Sequence, residues 1–256
     1  MIYKNPEDWQ ELQNLVLRIF QEIGMIAEKE KVINTPRGNI EIDVFAIDPF
    51  SIDNIKYIVE CKNWKNSIPQ TVIHSFTTVM NETGGNIGYI ISKNGFQDGA
   101  YSYIQNTNIK LYTFEEFQFR YATIWAKKQL SKIIYEQSEE FIIWTLNVNQ
   151  NRSYYTYYEE EEKSLKLYEI LKKHKPLRDI IYFIITFYDN PNNNFYDSHL
   201  SKSFPPHLDH IKELLLKNYN YKASAQNYND LAEEFKTLTK KAIEELNSIY
   251  GKNISI

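Results

Sequence analysis

The run Ile55-Lys-Tyr-Ile-Val-Glu-Cys-Lys62, followed after a helical stretch by Asn86-Ile-Gly-Tyr-Ile-Ile-Ser92, decides the fold. Both runs are short and apolar. Between them Pro69 to about Glu82 has helical spacing, with proline in its first turn and Gly84-Gly85 after its end. Strand, helix and strand in that order imply a right-handed crossover joining parallel strands, hence an α/β domain with helices on both faces of a sheet.

Upstream, Pro6 to Ile23 sets Trp9, Leu12, Leu15, Val16, Ile19, Phe20 and Ile23 three and four apart, an amphipathic helix stopped by Gly24. Met25 to Ile33 reads as a strand, Thr35-Pro-Arg-Gly38 as a turn and Asn39 to Ile47 as a second strand, broken by Asp48-Pro49. Downstream, Phe96 to Asn106 reads as a helix, Ile109 to Thr113 as the last strand, and Phe114 starts another helix. The expected order is α-β-β-β-α-β-α-β, ending near Gln118, which gives a first domain of residues 1–118. Residues 119–256 read as a second, α-helical domain: Glu115 to Leu146, Lys163 to His174, Leu177 to Tyr188, His207 to Tyr219 and Tyr228 to Tyr250, with Asn147 to Thr156 and Asn190 to Pro206 as polar connections. Target recognition, oligomerisation and partner binding are the roles open to this half.

Of the 256 residues 33 are acidic and 29 basic, a net charge of −4, which excludes a strongly basic nucleic-acid coat. The charge is uneven: residues 1–118 hold 15 acids and 10 bases, whereas the remainder holds 18 and 19. Cys61 is the single cysteine and has no partner for an intramolecular disulfide. The acidic start lacks the apolar stretch of a secretory signal, and the most apolar runs are too short to span a bilayer, so the expectation is a soluble cytoplasmic protein.

Three ionisable groups interrupt strands that otherwise read as interior: Asp43 in the second, Glu60 and Lys62 in the third. In a hairpin turning near Ser51, position 43 falls opposite 59 or 60, and two carboxylates about 4.5–5.5 Å apart would repel. A divalent cation held by both acids would relieve this, with the backbone carbonyl of Cys61 completing its shell. Lys62 shares the face of Glu60 because strand side chains alternate. Two acids and a lysine around one point are the parts that phosphodiester hydrolysis needs. A solvated cross-strand charge cluster is the alternative at this level.

The segments Gly38-Asn-Ile-Glu-Ile-Asp43, Tyr57-Ile-Val-Glu-Cys-Lys-Asn-Trp-Lys65, Asn86-Ile-Gly-Tyr-Ile-Ile-Ser-Lys-Asn-Gly-Phe96 with Gly99-Ala100, and Ile109-Lys-Leu-Tyr112 before Glu115 together resemble the catalytic domain of Mrr-type restriction endonucleases, in the PD-(D/E)xK nuclease superfamily. The resemblance spans about Pro6 to Gln118 and does not reach the helical half. It implies a restriction-endonuclease-like mixed sheet flanked by helices, and cleavage of double-stranded DNA dependent on Mg²⁺ or Mn²⁺. Asp43 and Glu60 would be metal ligands, Lys62 would assist the attacking water, and the setting would be defence against foreign DNA. Two positions depart from the pattern. The Mrr group often has Gln where this chain has Glu60, and many relatives place an acid in the first helix where the best match here is Gln13, with Glu11 the nearest acid. Cutting both strands needs two centres, so a homodimer or larger assembly is expected, with a possible protein partner on the helical half. A binding or assembly module on a nuclease fold, and a resolvase-like nuclease on structured DNA, are the competing readings.

Other residues carry weaker signals. Glu28 and Glu30 could reach the metal or could be edge-strand charges; Arg37 and Gly38 could grip a phosphate or simply turn the chain. Trp64 and Lys65 could meet DNA, and Gln70 a phosphate oxygen. Cys61 points away from Glu60 and reads as a buried small hydrophobe. His207 and His210 lack the further ligands a zinc site needs, and Ser92-Lys93 lacks the glycine-rich turn of a P-loop. Tyr154 to Tyr158 run into Glu159 to Glu162, where the carboxylates would repel nucleic acid. Trp125 and Trp144 read as helical core.

Overall fold

The computed structural model describes residues 1–145, 161–189 and 208–250. The chain divides into two compact units, one from Tyr3 to Trp125 and one from Ala126 onward.

The first unit is α1 (Trp9–Glu22), β1 (Ile26–Thr35), β2 (Gly38–Ile47), β3 (Lys56–Lys62), α2 (Gln70–Thr83), β4 (Ile87–Ser92), α3 (Asp98–Tyr103), β5 (Ile109–Thr113) and α4 (Phe114–Trp125), the order the sequence leads one to expect. The strands form one mixed sheet in the order β1-β2-β3-β4-β5, antiparallel from β1 to β3 and parallel from β3 to β5. Helix α1 starts at Trp9 rather than Pro6, because the Asp8 carboxylate caps it, accepting from the Glu11 N–H at 2.7 Å. The third helix is shorter than its pattern, ending at Tyr103. Gly84 ends α2 in the left-handed region at φ 66°. At Gly88 a β-carbon would stand 2.7 Å from Phe76 and Met80, so the close packing of α2 on β4 requires glycine there.

Each face of the sheet has its own core. Ile58, Ile90, Ile109 and Leu111 meet Ile73, Phe76 and Met80 of α2 and Ala100 of α3. The other face is aromatic. Phe20 of α1 lies 5.8 Å from the Tyr57 ring centroid, 5.4 Å from Phe117 and 5.6 Å from Tyr121, and the Tyr89 and Tyr121 hydroxyls are 2.9 Å apart. Such ring pairs add about 0.5–1.5 kcal/mol each beyond their burial.

The second unit is helical. A π-helical turn, Ala126–Leu130, interrupts the helix expected from Glu115 to Leu146. Then follow α5 (Ser131–Thr145), α6 (Glu161–Asp189), α7 (Leu208–Tyr219) and α8 (Tyr228–Tyr250). Two helices were expected either side of Lys175-Pro176; instead α6 runs through Pro176. Proline removes the bond to the carbonyl four residues back and its ring crowds that carbonyl, but burial of Leu167 and His174 before it and of Leu177, Ile180, Ile181 and Ile184 after it holds the helix on either side. Helix α5 packs on α6 and α8, and α6 on α7. Trp125 and Trp144 are both buried. Both polar connections, and Tyr154 to Tyr158, lie outside the described residues. Among the described residues no helix is long and apolar enough to cross a membrane.

Candidate active site

Strands β2 and β3 pair from Ile47↔Lys56 to Val44↔Val59, and one further step of that register sets Asp43 beside Glu60. The ladder is not continued there. Instead the Cys61 N–H donates to Asp43 Oδ2 at 2.7 Å, so a carboxylate holds the backbone where the strands part. An N–H donor of this kind fixes the direction of the carboxylate and leaves its second oxygen unused by that bond.

The other neighbour of β2 is irregular at the same level. Lys29 pairs with Val44 and Lys31 with Ile42, while Glu30 between them has φ 55° and belongs to no pair. The two lysines therefore go to opposite faces of the sheet: Lys29 Nζ reaches Asn14 of α1 at 3.2 Å, and Lys31 Nζ sits 4.0 Å from the Phe45 ring centroid, among the residues packed under α2. A face switch beside Asp43 is a local twist that the alternating pattern of β1 does not announce.

Glu60 and Lys62 point toward α2 and form an ion pair in which each side chain is about a quarter exposed (25% and 22%). Burial, and next the Asp43 carboxylate, push the Glu60 carboxyl above the usual carboxylate range, against the opposing pull of Lys62. The two acids thus sit close enough to feel each other. Cys61 between them is buried on the opposite side, and burial pushes its thiol well up, which suits a packed hydrophobe and not a nucleophile.

Helix α1 adds a feature the sequence did not advertise. Gln13 is only 4% exposed and its Oε1 has no hydrogen-bond donor. Phe20 beside Tyr57, and the Glu7 carbonyl 3.4 Å from Asn63 Nδ2, show α1 running antiparallel to β3. Seven residues of helix back from Phe20 at about 1.5 Å and three of strand on from Tyr57 at about 3.3 Å cover similar lengths, so Gln13 is level with Glu60 and Cys61. Asn63 Oδ1 is likewise buried without a donor. Glu11 accepts the Glu7 N–H at 2.7 Å, which commits it to the helix start.

The remaining sequence candidates are placed as follows. Glu28 pairs with Lys31 on the edge strand, and Glu30 Oε1 lies 3.8 Å from Lys29 Nζ. Arg37, at the tip of the Thr35↔Gly38 hairpin, pairs with Glu82 of α2 at 2.9 Å. Gln70 Nε2 lies 3.0 Å from His74 Nε2 and takes no part in the groove beside Glu60. Lys65 is exposed. Trp64 is 45% exposed, with Lys62 Nζ 5.8 Å from its ring centroid, and the Asn94 side-chain amide donates to the Trp64 and Lys65 carbonyls at 2.9 and 2.8 Å. Asn94 lies thirty residues along the chain, so only the structure reveals this clamp. His210 is in α7, and His207 lies outside the described residues.

Between Glu60, Lys62 and Trp64 on one side and Val72, Ser75, Phe76 and Val79 of α2 on the other lies a groove of about 250 Å³. Among the described residues no three of His, Cys, Asp and Glu gather to hold a metal by themselves.

Residues 5–119 match the restriction endonuclease family model Mrr_cat, a little under half of the chain. The resemblance read from about Pro6 to Gln118 and this match coincide, and residues 5–119 are a restriction-endonuclease-type domain. Two solved structures are similar. A protein of unknown function, AF1548, is 14% identical with a TM-score of 0.39, covering 96% of this chain and 100% of its own. The DNA modification-dependent restriction endonuclease AspBHI is 11% identical with a TM-score of 0.24, covering 45% of this chain and 35% of its own. No curated protein matches.

Proposed function

We propose that residues 5–119 hydrolyse phosphodiester bonds in DNA with a divalent cation, and that Asp43, Glu60 and Lys62 carry the reaction. The observation behind this reading is the carboxylate pair at the parting of β2 and β3, with Lys62 on Glu60 and a backbone N–H aiming Asp43.

The residues fit a hard cation that is content with few protein ligands. Mg²⁺ takes one or two carboxylates and fills its remaining positions with water and substrate oxygens, whereas a structural zinc site would need the larger cluster that is absent among the described residues. Asp43 and Glu60 would hold it, with the Cys61 carbonyl and the unpartnered Gln13 Oε1 as neutral donors. When bound, such a cation polarises the phosphate and makes its water a better nucleophile. The chain's own groups do the rest. The Cys61 N–H keeps Asp43 in place. Lys62 would present its ammonium to the attacking water and to the negative charge growing on the phosphate. Gln13 would offer a neutral amide where many relatives have a helix acid, which would lower the charge of the ligand set and weaken its hold on the metal.

The family match supports a role in restriction of foreign DNA as part of this reading, and cutting both strands would bring two chains together. The acidic surplus of residues 1–118 supports weak DNA binding without metal. The test is incubation of the full chain with supercoiled and linear DNA, with and without Mg²⁺ or Mn²⁺. Cleavage should require metal and should fall about 10²–10³-fold in Lys62→Ala. Cleavage that proceeds undiminished in EDTA would sink the reading.

A further inference from the structure

A site that handled only a phosphate and a metal would be polar on every side, and this one is not. The wall facing Glu60 and Lys62 is built by Val72, Phe76 and Val79 at helical spacing, with the Trp64 ring at the mouth. Phosphate oxygens gain nothing from that wall. A nucleobase does, since every base offers a flat face that stacks on an aromatic ring. Trp64 is also mounted for such a role. Nearly half its surface is open, where a tryptophan serving only to fill the core would be covered. The backbone beneath it is fixed by the two Asn94 bonds and by the Lys93 N–H donating to the Lys62 carbonyl at 3.1 Å, so little order has to be imposed when a ligand arrives. A base still paired in a duplex is stacked on both faces and cannot lie on this ring without leaving its stack.

We propose that the groove between β3 and α2 takes an unpaired nucleobase stacked on Trp64, beside the phosphodiester on which Glu60 and Lys62 act. The substrate is then DNA with single-stranded character at the cut: a single strand, a gap, a flap or a locally opened duplex. This inference rests on the nuclease reading above and adds to it the state of the strand.

The test uses the full chain and an oligonucleotide carrying 2-aminopurine, offered single-stranded, across a gap and in a matched duplex. In Ca²⁺, which supports binding without cleavage, stacking on Trp64 should quench the fluorescence of the unpaired probes. Trp64→Ala should bind these about tenfold more weakly, and Trp64→Phe should retain most of the affinity. In Mg²⁺ the unpaired substrates should be cut about tenfold or more faster than the matched duplex, a preference that Trp64→Ala loses. Equal binding and cleavage of unpaired DNA by wild type and Trp64→Ala, or preference for the matched duplex, overturns the base pocket while leaving Asp43-dependent cleavage standing. If the wild-type chain cuts no DNA of either form, the nuclease reading itself fails and the pocket falls with it.

Discussion

Replacing Lys62 with methionine keeps an apolar stem and removes the charge that offsets Glu60. An exposed pair contributes about 0–1 kcal/mol and breaking a fully buried one costs about 3–5 kcal/mol. Glu60 and Lys62, each roughly a quarter exposed, fall between these limits, so the loss should be about 2 kcal/mol, discounted for solvent screening. For a protein of this size that lowers Tm by about 4–8 °C. Glu60 already holds its proton more tightly than usual, through burial and then Asp43, and without Lys62 it will do so further. A carboxyl whose folded pKa lies above its unfolded value favours the folded state below the unfolded pKa, and that contribution is lost as pH rises through the folded value. The Tm deficit of Lys62→Met should therefore be widest near about pH 8 and shrink toward about pH 5. Adding Glu60→Gln should restore most of it at the higher pH. The assay is thermal unfolding of the metal-free chain followed by circular dichroism. A deficit that does not change with pH, or that Glu60→Gln leaves in place, would refute the claim that Lys62 offsets a half-buried carboxylate pair.

Three other outcomes follow from the same structure. Saturating Mg²⁺ or Mn²⁺ at about a hundred times Kd should stabilise the wild type by about 2.7 kcal/mol and leave Asp43→Ala unmoved in a thermal-shift assay. Gly88→Ala should cost about 1–3 kcal/mol by denaturant titration, because the new methyl group meets Phe76 and Met80 at 2.7 Å. In the helical unit, His174 is buried with Nε2 3.0 Å from Glu245 and Nδ1 2.6 Å from the Tyr219 hydroxyl, while Lys173 holds both oxygens of Glu245 at 2.8 Å. The carboxylate can only accept, so a neutral imidazole donates from Nε2 and accepts the Tyr219 proton at Nδ1. Burial lowers the His174 pKa more than Glu245 raises it. Stability from this group is thus full above the unfolded value of about 6.5 and lost as pH falls through the folded one. Thermal unfolding should show that acid loss in the wild type and a flatter profile in His174→Gln.

What could be read in the sequence is what depends on neighbours along the chain. The two-residue and 3.6-residue periods, Gly84 after α2 and the apolar runs around Asp43, Glu60 and Lys62 are local signals, and they lead to the mixed sheet and to the three charged residues. Features made by distant partners could not be read this way. The stop expected at Pro176 was overridden by burial of Leu177 and Ile181. Arg37 looked free for phosphate until Glu82 was placed beside it, and the Asn94 clamp under Trp64 joins segments thirty residues apart. The face switch at Glu30 shows only as a positive φ between two lysines that part company. Gln13 was a weak match in a family pattern, and its buried oxygen without a donor is a property of the packed helix alone.

The most direct measurement is the rate of DNA cleavage by the full-length wild type, Asp43→Ala and Lys62→Ala, with Mg²⁺ and with EDTA, on gapped and matched DNA. The wild type should cut only with metal, Asp43→Ala should not cut, and Lys62→Ala should retain on the order of a hundredth of the rate or less. Metal-dependent cleavage at undiminished rate in both variants would show that the chemistry lies elsewhere on the chain.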